Sequence, residues 1–133
     1  MTIDVVLHET DRVDACFDGL TLTTEQDGSA PAPFDLFLAS MATCVGFYVS
    51  RFCRSRDIDP RGVRIRQEST RDPETRRIGR VVIDIQLPDG FPDKYRDAVV
   101  RSAEQCSVKK HLETPPSVEV RATAQADVGS TVA

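Results

Sequence analysis

A basic excess is missing from this sequence. It has 17 Lys and Arg against 21 Asp and Glu, for a net charge of -4. The two signs are interspersed, so no region is set aside for nucleic acid. The opening MTIDVVLHETDRVD has neither the cationic segment nor the apolar run of a secretion signal, and a cytoplasmic protein is expected. A clean membrane span is missing as well. The most apolar stretch, Phe34 to Cys53, is interrupted by Asp35, Ser40, Thr43, Ser50 and Arg51, whereas a span takes about 20 predominantly apolar residues. No G-x-G-x-x-G, phosphate-binding loop or G-x-S-x-G occurs, so nucleotide chemistry and serine hydrolysis have no support. There is no C-x-x-C, and His8 and His111 stand without ligand spacing, so neither a metal nor another cofactor is expected. Repeats, low-complexity tracts and linkers are also absent. One domain over residues 1–133 is expected, a size that buries roughly two thirds of the unfolded surface.

What remains is an ordinary globular pattern. Thr2 to His8 alternates, with Ile3, Val5 and Leu7 on one face. Val13–Phe17 and Leu20–Glu25 flank Asp18-Gly19, a strong hairpin signal because the turn needs positive φ. Pro33 suits the first turn of a helix and Asp35 the positive end of its dipole, so a helix is predicted from about Phe34 to Ser55. Its apolar residues cover nearly the whole circumference, which calls for enclosure by more than one small chain provides, and a homodimer is expected. Val63–Glu68 and Val81–Leu87 read as a second hairpin closed by RDPET. Asp93 to Cys106 has apolar residues at spacings of three and four, and Ser117–Ala124 alternates again. The order βββ, helix, ββ, helix, β is an α+β arrangement. The last residues, ADVGSTVA, read as a frayed tail.

The four cysteines carry the chemical interest, since in a reducing compartment they stand free or redox-active more often than bridged. Cys44 shares a helical face with Phe37, Met41 and Tyr48. Cys53 lies nine residues later, on the opposite face, so the two cannot pair within the helix. Cys106 falls on the apolar stripe of the second helix, near its predicted C-terminal end. There it gains nothing from the helix dipole, and it reads as a resolving thiol more than a low-pKa nucleophile. Lys109, Lys110 and His111 follow it, either as stabilisers of a thiolate or as an ordinary solvated basic helix end. For each cysteine the bland alternative is a small buried hydrophobe, and for Cys16 and Cys53 that alternative is favoured.

The segments APFDLFLASMATCVGFYV and CSVKKHLETPPSVEV resemble the two cysteine segments of the OsmC/Ohr family, and the element order agrees along nearly the whole chain. The resemblance implies an intertwined homodimer, with long helices wrapped by two sheets and each site at the subunit interface. It implies a thiol-dependent peroxidase for organic hydroperoxides, in which Cys44 becomes a sulfenic acid and Cys106 resolves it to a disulfide. A thiol or dihydrolipoyl reductant would complete the cycle, chemistry consistent with thiolate nucleophilicity. The hydroperoxide reductase branch of the family adds a Glu and an Arg beside the nucleophile. Here Phe34 stands at the Glu position and the acid comes one residue later, as Asp35; Arg12 is the candidate arginine. Phe34, Phe37, Met41, Phe47 and Tyr48 would line the substrate pocket. Two other readings remain: a non-enzymatic relative binding a small apolar or thiol ligand at the dimer interface, and a structural dimer with inert thiols.

Overall fold

The structure, a computed structural model, describes residues 1–125. Three strands open the chain, β1 (Asp4–Leu7), β2 (Val13–Phe17) and β3 (Leu20–Thr24), and form an antiparallel meander. Phe17 pairs with Leu20 across a two-residue turn in which Asp18 and Gly19 have φ of 48° and 76°. Positive φ at both positions matches strand twist in a tight hairpin, as the sequence predicts.

The long helix α1 runs Pro33–Arg54. Pro33 occupies its first turn, and the Asp35 carboxylate accepts the backbone N–H of Ala32 at 3.0 Å, satisfying a donor at the helix start. At the far end Asp57 takes φ 56° and the Ile58 N–H reaches back to the Cys53 carbonyl at 2.9 Å, closing the last turn. Length and composition alone would let α1 cross a bilayer, with a mean hydropathy of 1.5 over 18 residues. The interrupting polar residues therefore do not exclude a span as the sequence reading assumed. One face of α1 packs inward: Val45, Val49, Phe52 and Cys53 sit in the core with Phe91, Val99 and Ala103.

The second hairpin is β4 (Arg64–Arg71) and β5 (Ile78–Gln86), longer than predicted at the turn end. Its register, Ile65 with Ile85 and Gln67 with Ile83, places Ile65, Ile83 and Ile85 against the core cluster. The Gln67 side chain bridges to α1 by donating to the Leu38 carbonyl at 2.9 Å.

Two predicted elements come out differently. The single helix expected from Asp93 to Cys106 is a 3-10 turn (Asp93–Tyr95), then α2 (Arg96–Ala103), then a break, then α3 (Ser107–Glu113). Cys106 is thus the residue that precedes α3, with φ -48° and ψ 121°, and not the end of a helix. The strand expected over Ser117–Ala124 does not form; those residues are exposed and unpaired. Alternation supplies a strand's face but not its hydrogen bonds, and among the described residues this segment pairs with no strand edge. The predicted tail, Ala126 to Ala133, lies outside the described residues.

Candidate active site: a thiol pair between α1 and α3

All four cysteines are free thiols. The break between α2 and α3 brings Cys106 against Cys44 of α1. Cys106 is fully buried in the core, while Cys44 sits at the core margin, half-buried. Three short turns make the break: Glu104, Gln105 and Cys106 donate back to Val100, Ser102 and Ala103, at 3.0 to 3.1 Å. The chain then restarts as α3, whose first N–H groups have no helical acceptor.

Those N–H groups set the electrostatics. Burial pushes the Cys44 thiol up. Hydrogen bonding from the Cys106 thiol, and from the backbone N–H of Val108 and Ser107, outweighs it and holds Cys44 below the ordinary thiol range. Cys106 moves the other way. Burial and the hydrogen bond it makes to Cys44 push it up, and the N–H groups of Lys109 and Val108 offset only part of this. The pair is therefore asymmetric: across one contact the environment pulls Cys44 down and pushes Cys106 up. Sequence reasoning missed Ser107 and Val108. The signal available was the serine directly after Cys106, a residue type that favours helix starts.

The basic side chains after Cys106 do not reach the thiols. Lys109 approaches Glu113 at 3.7 Å, Lys110 donates to Gln105 at 2.8 Å, and His111 donates to the Ser107 carbonyl at 2.7 Å. The ordinary basic helix end is the reading that fits. Arg12 and Asp35 act elsewhere within the protomer. Arg12 grips Asp14 with two hydrogen bonds of 3.1 Å, and Asp35 serves the start of α1; neither contributes to the Cys44 shift. Asp14 also meets His8 at 2.9 Å, and the Arg12 guanidinium holds its carboxyl down at about 2.

The expected pocket residues divide. Phe34, Phe37 and Met41 border an open apolar hollow of about 710 Å³. Met41 also borders an adjoining hollow of about 360 Å³ that reaches Cys106, together with Val45, Ile83 and Ala103. Phe47 is exposed and borders neither. Tyr48 lies on another hollow, with Phe52 and Ser102.

Residues 26–121 match the family model of OsmC-like proteins. That is most of the chain, and the protein belongs to this family. The fold agrees with solved structures. A protein from Psychrobacter arcticus, described as an osmotic stress induced and detoxification response protein, shares 24% identity and superposes with a TM-score of 0.69, over 83% of this chain and 86% of its own. An OsmC-like protein from Mycoplasma pneumoniae shares 13% identity at a TM-score of 0.67, over 84% and 86%. An organic hydroperoxide resistance protein OsmC from Legionella pneumophila shares 21% identity at a TM-score of 0.51, over 84% and 89%. At these identities the likeness is one of fold. No curated protein matches the chain.

Proposed function

We propose that the protein is a thiol-dependent peroxidase that reduces organic hydroperoxides. The observation that carries this reading is the asymmetric pair, with Cys44 held below and Cys106 above the ordinary thiol range at one contact. The Cys44 thiolate attacks a peroxide oxygen and the O–O bond breaks. An alkoxide leaves, takes a proton and departs as the alcohol, and Cys44 becomes a sulfenic acid. The Cys106 sulfur then attacks the Cys44 sulfur. The S–S bond forms as hydroxide leaves with the Cys106 proton, giving water. Two electrons from an external dithiol, a dihydrolipoyl group or a pair of small thiols restore both cysteines. In this scheme backbone N–H groups of α3 take the place of a charged activator on Cys44. The hollow at Cys106 is apolar, which suits an organic peroxide more than hydrogen peroxide. The description of the Legionella neighbour agrees with this role.

The working unit in this reading is a homodimer in the cytoplasm. Val5, Leu7, Leu20, Leu22 and Phe47 are all exposed in the protomer, apolar surface that a second copy would cover. The unpaired residues 117–124 likewise lack an edge to join. The test treats reduced protein with stoichiometric cumene hydroperoxide, then hydrogen peroxide, followed by intact and peptide mass spectrometry. A Cys44–Cys106 disulfide that forms faster with the organic peroxide is expected; thiols unmodified after minutes would sink the proposal.

One observation favours a second reading, in which the protein binds a small apolar or thiol ligand without turning it over: the open hollow beside Phe34, Phe37 and Met41. A thermal-shift panel tests it, because a ligand of the native state raises the melting temperature. No shift with any lipid or thiol would count against it.

A further inference from the structure

The face of α1 that carries Cys44 continues past the thiols. Tyr48 and Arg51 stand one and two turns further on, about 6 and 10 Å along the helix axis. With Ala98 and Ser102 of α2, and Gln105 of the break that follows it, they border an open hollow of about 420 Å³. Gln105 directly precedes Cys106. None of the residues bordering this hollow borders either of the apolar ones.

The hollow is positive and rich in donors. It is bordered by two guanidinium groups, of Arg51 and Arg56, and by no carboxylate. Among the described residues neither arginine takes part in an ion pair. Arg56 is held in place. Its guanidinium carbon lies 3.8 Å from the centre of the Phe52 ring, and Nη1 donates to the Ser55 hydroxyl at 2.9 Å and to the Phe52 carbonyl at 3.4 Å. Stacking and these bonds fix the plane of the guanidinium while Nε and Nη2 keep donors to give. The Gln105 side-chain oxygen accepts from Lys110 at 2.8 Å, which leaves its NH2 to donate. The hydroxyls of Tyr48 and Ser102 add two further donors.

Donors from two elements, with two positive charges among them, suit an oxyanion. A carboxylate accepts in one plane, whereas a phosphoryl group has three oxygens and takes donors from several sides. The volume exceeds what a bare phosphate needs, and Tyr48 and Ala98 offer apolar surface beside the charges. We propose that this hollow binds a small phosphomonoester, its phosphoryl group on Arg51 and Arg56 and its organic part against Tyr48 and Ala98. The site goes beyond the peroxidase reading and does not depend on it.

The test reads binding and not turnover. Phenyl phosphate, inorganic phosphate and benzoate are titrated into the full chain by calorimetry at constant ionic strength. Phenyl phosphate should bind at least roughly tenfold tighter than benzoate, the worth of one charge-assisted hydrogen bond, and tighter than inorganic phosphate. Its affinity should fall with added salt. Arg51→Gln and Arg56→Gln should each weaken it by about tenfold. Arg56 packs on Phe52, so circular dichroism checks the fold of that variant; should it not fold, Arg51→Gln alone must show the loss, since Arg51 is exposed and holds no ion pair. Arg77→Gln, which alters a guanidinium outside the hollow, should leave the affinity unchanged. Phenyl phosphate that binds no tighter than benzoate, or not at all, overturns the proposal. So does an affinity untouched by Arg51→Gln, or one lost with Arg77→Gln. Cys44→Ser should bind phenyl phosphate as the parent does. A protein that binds it yet consumes no peroxide keeps this site and loses the peroxidase reading instead.

Discussion

Helix α1 carries two cysteines on opposite faces, and they meet different fates. Cys53 is fully buried in the cluster that holds Val49, Phe52 and Val99, and burial pushes its thiol up, with Arg56 offsetting only part of this. Cys44 is also pushed up by burial, yet ends below the ordinary range because a second thiol and two unpaired N–H groups face it. Burial alone makes a cysteine a small hydrophobe; burial beside the open start of another helix can still lower its pKa. The difference lies in what the rest of the chain brings to each face.

Substitutions can break that comparison. Cys44→Ser should abolish peroxide consumption altogether, while Cys53→Ser should leave the ability to form the Cys44–Cys106 disulfide intact. A Cys44→Ser protein that still consumes cumene hydroperoxide would remove the distinction between the two faces. Cys106→Ser comes next in size. One equivalent of peroxide should still oxidise Cys44, and the product should be a sulfenic acid trappable by dimedone, with no intramolecular disulfide; absence of the adduct would mean Cys44 is not the attacking thiol.

On the other face the effect is on stability. Cys53→Ser buries a hydroxyl in an apolar site and should cost about 1–3 kcal/mol in urea unfolding, whereas Cys53→Ala should cost less. An equal cost for the two would show that the site tolerates polarity. The two thiols should also separate by pH. Alkylation of Cys44 by iodoacetamide needs the thiolate, so its rate should rise with pH and level off with a midpoint below 9.0, the unshifted value. Cys53 should titrate above 9.0, once exposure by mild denaturant is corrected for. Coincident midpoints would contradict the electrostatic argument.

The smallest expected effect lies outside both faces. Asp14 is held down at about 2, chiefly by Arg12, from an unfolded value of 3.8. A lowered carboxyl contributes stability that is complete above 3.8 and lost as pH falls toward 2. Asp14→Asn should therefore lower stability modestly at neutral pH and flatten the acid limb of the stability curve in that window. An acid limb identical to the parent's would show that the Arg12–Asp14 pair is energetically silent.

Most elements were legible in the sequence because their signals are local. Asp18-Gly19 demands positive φ at two successive residues, and the chain turns there. Pro33 opens α1, and the alternation of Ile83 and Ile85 sets the inward face of β5. The break before Ser107 was not legible. Val99, Ala103 and Cys106 keep a helical spacing straight through it, and apolar spacing reports a shared face without reporting whether the backbone between is continuous. The strand at 117–124 fails for a related reason: pattern is a property of one segment, while pairing is a property of two.

By itself, the sequence determined the element order as far as β5, the hairpin turns, the span of the apolar helix and the placing of one cysteine in each of two family-like segments. Those follow from local dihedral preferences and from which side chains avoid water. Tertiary structure alone decided that Cys106 precedes a helix instead of ending one, and that its thiol and the first N–H groups of α3 converge on Cys44. It also decided that Arg12 and Asp35 are engaged with Asp14 and with the helix start. Proton affinity depends on what lies within a few ångströms in space, and residues 44 and 106 become neighbours only when α1 and α3 pack together.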